Sequence, residues 1–385
     1  MKRALRAGQA AALSICLLLQ VTGCGVEGEN GGTAEAGPAD SMVTVVDGTG
    51  REVTVPLDPE YVICSGPGCL RLLVYLQAQD RAAAVDDMEG RRPEFDARPY
   101  ALANPRFRDM PVFGEFRGHD NPELIVALDP QPQVIFKTYP LMGMDPLELE
   151  SKTGIPVVVL NYGNLSYGRG DLYNSLRTMG SVMNRSDRAE EVIDFLEETI
   201  ADLRARTSDI PPGERPTCFV GGIAYRGPHG FQSTEPGYPP FMFAGAENVA
   251  FPDDGSGEPM EHADVAKEQI VEWDPDVIFV DASTMETDPR ASAIYQLQTD
   301  PAYASLSAVR RGEIYCLLPY NWYTKNFGSI LADAYFVGKV LYPDRFEDVD
   351  PAARADEIYL FLVGDRVFQQ LRESFGNMVF ERLIL

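Results

Sequence analysis

The sequence predicts an α/β protein of two lobes built alike, each a parallel sheet flanked by helices, joined by one long backbone helix with a cleft between the lobes. Three observations predict it. One phrase occurs twice, as ELIVALDPQPQVIF at 123–136 and EQIVEWDPDVIF at 268–279. Each copy reads as a short amphipathic helix, a stop at Asp-Pro and an apolar run. The runs QVIF (133–136), IPVVVL (155–160) and VIFV (277–280) are apolar throughout, which fits parallel strands covered by helices on both faces. Finally, residues 187–206 set Ala189, Val192, Ile193, Leu196, Ile200 and Leu203 at helical spacing, with no Gly or Pro to interrupt them.

The other elements follow in order. The chain opens on Lys2, Arg3 and Arg6, an apolar run from Ala10 to Leu19, and Val21-Thr22-Gly23-Cys24. A basic start before a short apolar run is an export signal, too short for a membrane-spanning helix. Its ending resembles a bacterial lipobox, which implies cleavage after residue 23 and lipidation of Cys24. Residues 24–41 read as a flexible tether. VTVVDGTGREVTV, 43–55, is a hairpin around Asp-Gly-Thr-Gly. YVIC (61–64) is a strand, SGPG a turn, and CLRLLVYLQ a helix; AAAVDD (82–87) is a further strand. Residues 88–110 are rich in Pro and Arg and read as a loop or broken helix. In the second lobe Tyr303 to Val309 is helical and GEIYCLL (312–318) a strand that ends in PYNWYTKN. The expected organisation is therefore signal 1–23, tether 24–41, first lobe 42–184, joining helix 185–208, second lobe 209–349 and closing helices 350–385.

A length of 385 residues suits two lobes. A net charge of −25 argues against nucleic acid or an anionic membrane surface as the partner. Cys64, Cys69, Cys218 and Cys316 remain after the signal and the lipid site. Cys64 and Cys69 bracket the SGPG turn, and a local disulfide is expected there; buried thiols and a metal site are the rivals, the latter poor without a nearby His. Cys218 and Cys316 sit in strand-like runs and read as core.

The order and spacing of these pieces resemble the substrate-binding proteins of bacterial ABC importers, in the group that includes iron-siderophore, haem and cobalamin binders. The likeness is carried by the lipobox, VTVVDGTGREVTVP, YVICSGPG, GHDNPELIVALDPQPQVIF, TGIPVVVL, the 187–206 helix, AENVA (246–250), EQIVEWDPDVIF and LSAVRRGEIYCL. It implies a lipid-anchored monomer in the cell envelope, in the periplasm or on the outer face of the cytoplasmic membrane. It implies a binder without a cofactor of its own, passing a metal chelate to a permease with a cytoplasmic ATPase. An iron complex of siderophore type is the expected cargo, with haem, cobalamin or a metal oxyanion as alternatives.

Ligands of open α/β sheets sit beyond the carboxyl ends of the strands. The loops there supply the expected ligand contacts: Ser65, Gly66, Lys137 and Tyr139 in the first lobe, and Tyr225, Arg226, His229, Ser233, Asp281, Tyr320, Trp322 and Tyr323 in the second. Lys137, Arg169 and Arg226 favour an anionic ligand. Tyr and Trp favour one with an apolar face. His229 could ligate a metal, donate to an anionic chelate, or hold its own loop. With three His in the chain, a bare zinc or manganese ion is disfavoured. Glu123 and Glu268, at the starts of the repeated helices, are candidates for docking on permease arginines, although an acidic residue there is also a general helix stabiliser. No G-x-S-x-G, HExxH or Walker sequence is present. A hydrolase built on Cys64 or Ser65 would lack a marked general base, and a pure scaffold would leave the polar and aromatic loops idle.

Overall fold

The computed structural model describes residues 41–91, 95–251 and 260–385. The expected signal, the lipid site Cys24 and the tether up to residue 40 lie outside the described residues. Residues 41–385 pack as one compact unit. It begins with the expected hairpin, β1 (Met42–Val46) antiparallel to β2 (Glu52–Pro56) with Val45 opposite Val53. Asp47 closes the turn by accepting from the Thr49 and Arg51 N–H groups at 2.9 and 3.1 Å.

The first half then runs β3 (Val62–Ser65), α1 (Cys69–Tyr75), β4 (Val85–Asp86), α2 (Asp87–Gly90), α3 (Pro99–Ala103), β5 (Val112–Glu115), β6 (His119–Asp120), α4 (Pro122–Val126), β7 (Val134–Thr138), α5 (Pro146–Thr153), β8 (Val157–Leu160) and α6 (Arg169–Val182). Its central sheet is parallel, in the order β3-β7-β8. Every residue of these three strands is buried, the physical reason for their unbroken apolar runs. The Asn121 side chain caps α4 and the Asp145 side chain caps α5, satisfying N–H groups that a helix start leaves open.

The joining helix, α7, spans Ser186–Thr207, within a residue or two of expectation. Its predicted apolar stripe is buried. It packs on α6 of the first half, and on two helices of the second described next. Fully burying side chains such as Leu196 and Leu203 stabilises the fold by roughly 1.5–3 kcal/mol each.

The second half runs β9 (Thr217–Gly221), β10 (Ser233–Thr234), α8 (Pro239–Ala244), β11 (Glu247–Asn248), β12 (Ala263–Asp264), α9 (Lys267–Trp273), β13 (Val277–Asp281), α10 (Ala293–Thr299), α11 (Ser307–Arg311), β14 (Ile314–Leu317) and α12 (Phe327–Leu341). Its sheet is parallel in the order β11-β9-β13-β14. The helices that meet α7 are α8 and α12. The repeated phrase thus marks α4 with β7 and α9 with β13, one helix-strand unit in each half.

The tail does more than close the chain. The helix α13 (Pro351–Val363) packs on α12 and also on α1 and α3 of the first half, and α14 (Phe368–Ser374) packs on α3. Phe361 stacks on Phe195 of α7 with ring centroids 4.0 Å apart.

One expectation is overturned. Cys64 and Cys69 form no disulfide; both are buried free thiols. The SGPG turn feeds directly into the first turn of α1, with Gly66 and Gly68 at positive φ, and both sulfurs pack as small core side chains. Burial, with Cys64 hydrogen-bonded beside it, pushes the Cys69 thiol well above its ordinary pKa.

Candidate functional site

A cavity of about 1160 Å³ lies where the carboxyl ends of the two parallel sheets face each other. From the first half it takes Pro67 after β3, Phe116, Arg117 and His119 around the β5–β6 turn, Tyr139 after β7, and Tyr162, Asn164 and Tyr167 after β8. From the second it takes Tyr225 and Arg226 after β9, Glu235, Glu261, Ser283 after β13, and Asn321 to Lys325 after β14. These are strand-end loops, as the architecture requires.

Backbone strain is concentrated here. Eleven described non-glycine residues have positive φ. Five of them, Arg117, Tyr139, Arg226, Tyr323 and Thr324, line this cavity. Left-handed backbone is costly for side chains with a Cβ, and it persists where the surroundings impose it, often at ligand sites.

The β14 loop is fixed from below by the first half. Arg71, on α1 and 1% exposed, donates to the Lys325 carbonyl at 2.8 Å and to the Trp322 and Tyr323 carbonyls at 3.4 Å each. Its guanidinium also contacts the Tyr162 hydroxyl and lies 5.0 Å from the Tyr100 ring centroid. Tyr162 donates to the Lys325 carbonyl at 2.7 Å, and the Tyr139 and Thr324 hydroxyls meet at 2.6 Å. The Tyr323 hydroxyl donates to buried Asp86 and accepts from the Arg117 N–H at 3.1 Å. Asn326 ties the loop to itself through the Tyr320, Trp322 and Thr324 carbonyls.

The charged groups differ in kind. Among the described residues Arg117 and Arg226 have no carboxylate within ion-pair distance; each guanidinium instead rests near an adjacent ring, Phe116 at 5.1 Å and Tyr225 at 5.3 Å. Glu235 is 4% exposed, accepts from Tyr320, and has its carboxyl pushed up to about 8 by burial. Asp86 beneath Tyr323 is pushed up to about 7, by burial first and then by the Glu89 charge.

Of the expected contacts, Tyr139, Tyr225, Arg226, Trp322 and Tyr323 line the cavity. Ser65, Gly66, Lys137, Ser233, Asp281 and Tyr320 do not; they are buried beneath it. Lys137 is the clearest correction. The strand β7 continues through Thr138, and its alternation turns Lys137 inward, where its ammonium meets Asp120 at 2.6 Å, Ser65 Oγ at 3.0 Å and the Gly118 carbonyl at 3.2 Å. Gly66 lies so close to β7 that a Cβ there would come within 2.6 Å of the Thr138 carbonyl oxygen. Ser233 bonds to the Ile223 carbonyl, Asp281 caps the turn after β13, and Tyr320 serves Glu235. His229 bonds to the Tyr225 carbonyl at 2.7 Å and stands near His262, outside the cavity lining. Among the described residues no group of three or more His, Cys, Asp or Glu is placed to hold a metal ion. Arg169 is paired with Glu197 on α7, 3.1 Å away, and does not line the cavity. Trp273 is half-buried with its ring against Phe219, and Trp322 is half-buried against Phe375.

Residues that the sequence did not flag include Arg71, Arg117, Tyr167, Glu235 and Glu261. The Phe-Arg-Gly-His turn at 116–119 was the one local signal that could have marked Arg117. A buried Arg71 in an otherwise apolar helix was another, because an ordered interior charge needs partners.

The profile of the periplasmic binding protein family matches residues 62–320. The chain belongs to that family. It is an extracytoplasmic solute-binding protein of an ABC transporter, and what such proteins carry is transported ligand, with no cofactor of their own. It is 24% identical over 344 residues to the molybdate-binding protein MolA of Haemophilus influenzae, covering 83% of this chain and 90% of that one. A crystal structure of a periplasmic solute-binding protein from Veillonella parvula superimposes with a TM-score of 0.65 at 18% identity, covering 88% of this chain and 97% of the other. The molybdate-bound structure of MolA gives a TM-score of 0.63 at 20% identity, with 84% and 98% covered. The structural likenesses carry the two-sheet fold.

Proposed function

We propose that this protein is the lipid-anchored receptor of an ABC importer for an anionic metal complex, an iron chelate of siderophore type, held between Arg117 and Arg226. The observation that carries the reading is an aromatic-lined cavity of about 1160 Å³ with one arginine from each half that has no carboxylate partner among the described residues. Sites for drug-sized ligands occupy roughly 300–1,000 Å³ and combine apolar walls with a few placed polar groups. Tyr139, Tyr162, Tyr225 and Trp322 supply the apolar faces, and the two guanidiniums supply charge-assisted hydrogen bonds to catecholate or carboxylate oxygens. Cys24 anchors the body, and Glu123 and Glu268, both exposed, present one acidic residue per half to the permease. The protein acts as a monomer.

A second reading is favoured by the name of one relative: an oxyanion of molybdate type. Such an ion would fill a small part of the cavity, and the arginines would close on it from both sides.

Calorimetric titration of ligand-free protein with a ferric tris-catecholate, a ferric tris-hydroxamate, haem and molybdate separates the readings. The expected result is tight binding of the catecholate complex, weakened roughly 10–100-fold by Arg117→Ala or Arg226→Ala, the loss of a charged hydrogen bond. Binding of molybdate alone would establish the second reading and reject the first.

A further inference from the structure

Three Lys or Arg side chains line the cleft among the described residues, and they are not equivalent. Arg117 and Arg226 have no carboxylate partner there. The Lys325 ammonium is in contact with the Glu261 carboxylate. The same carboxylate accepts from the Tyr167 hydroxyl at 2.7 Å and is hydrogen-bonded by Asn164. Tyr167 and Asn164 come from the loop after β8 in the first half. Glu261 and Lys325 belong to the second, and all four line the cavity. One carboxylate therefore neutralises a ligand-facing cation and ties the two walls of the cleft together.

Burial raises the Glu261 pKa, but Lys325 and the hydroxyl and amide donors outweigh it and hold the carboxyl below its ordinary value. It is an anion at neutral pH. The pair is uneven in exposure, with the Lys325 side chain 14% exposed and that of Glu261 47%. A half-exposed ion pair is a weak one, so Glu261 can be displaced while Lys325 stays in place.

Resting on the anionic-ligand reading above, we infer that Glu261 is a specificity-determining residue, an internal counter-ion that a ligand must displace from Lys325. Glu261 occupies the position that a catecholate or carboxylate oxygen of the ligand would take. A ligand with concentrated negative charge replaces it, gains the third cation and releases the Tyr167–Glu261 link. A neutral complex leaves the link in place and is held less firmly. The residue thus acts as a filter on charge, set at the mouth between the walls and separate from the aromatic faces that fit shape.

The test uses full-length protein and three variants, Glu261→Gln, Tyr167→Phe and Lys325→Gln, with trianionic ferric tris-catecholate and a neutral ferric tris-hydroxamate as probes. Glu261→Gln keeps an acceptor for Tyr167 and removes the competing charge. It should tighten the tris-catecholate roughly two- to fivefold, the scale of a part-exposed ion pair, and leave the neutral complex unchanged. Lys325→Gln should weaken the tris-catecholate and abolish the effect of Glu261→Gln in the double variant. Unchanged or weaker tris-catecholate binding in Glu261→Gln, with the wild type binding it, overturns the inference. Hydrogen exchange of the ligand-free proteins decides the link independently of any ligand. Amides of 162–168 should exchange faster in Tyr167→Phe, which removes the hydroxyl donor across the cleft, and those of 321–326 faster in Glu261→Gln, which removes the charged partner of Lys325, than in the wild type. If wild-type protein binds neither complex, the chelate reading fails, and unchanged exchange would reject the Glu261 link as well.

Discussion

Asp86, Glu235 and Asp281 are carboxyl groups at most 5% exposed, and among the described residues none has a Lys or Arg within ion-pair distance. Burial pushes Asp86 and Asp281 up to about 7 and Glu235 up to about 8. In the unfolded chain such groups ionise at about 4. The folded protein therefore keeps protons that the unfolded chain has released. This contribution to stability is fully present below about pH 4 and is lost as pH rises through about 7 to 8. Urea unfolding should give a higher midpoint at pH 5.5 than at pH 8.5. Asp86→Asn and Glu235→Gln should each flatten that dependence, since a neutral side chain at either place no longer titrates. A midpoint that rises between those pH values would show that the carboxyls are ionised in the folded state. Arg71 is the counterexample among buried charges. Its guanidinium is surrounded by carbonyls and aromatic rings, and its work is to fix the loop that bears Trp322.

At the scale of elements, the β14 loop is the piece that the two halves share. It is covalently part of the second half and hydrogen-bonded to the first through Arg71, Tyr162, Tyr139 and Asp86. Trp322 lines the cavity within it. Trp322→Ala should cost roughly 1–3 kcal/mol of ligand affinity, a loss of the size found at binding hot spots. The check is fluorescence titration of Trp273→Phe, in which Trp322 is the sole indole reporter. A ligand proven by calorimetry that leaves this signal unchanged would remove Trp322 from the site. The repeated helices α4 and α9 are short and end before their strands. Their acidic starts, Glu123 and Glu268, are exposed and lie outside the cavity lining.

At the scale of the molecule, three helices resist separation of the halves. The helix α7 packs on α6 on one side and on α8 and α12 on the other, while α13 reaches from α12 back to α1 and α3, and α14 packs on α13 and α3. Such bracing favours small closure over a wide clamp. Glu123→Lys with Glu268→Lys should lower uptake of the ligand in cells several-fold and leave its affinity in solution unchanged. Unchanged uptake would take both residues off the docking surface.

The fold was legible in the sequence because burial on both faces forces apolar strands and helical packing forces a 3.6-residue period, and both leave a linear trace. That trace gave the hairpin at 43–55, the repeated helix-strand units and the joining helix. It also placed the site in the loops after the strands, since parallel sheets put their ligands there. Which loop side chains face the cavity was decided only in three dimensions. Lys137 read as a ligand contact because it follows QVIF, but one more pair of strand residues turned it into the core against Asp120. Cys64 and Cys69 read as a bridge, and the turn between them carried the chain into a helix. Arg117, Glu261 and Lys325 come together from segments far apart in sequence, on loops whose left-handed residues break any period. Short-range pattern determines where strands and helices lie. The direction of a side chain in an irregular loop depends on contacts made across the whole molecule, and only the tertiary structure supplies them.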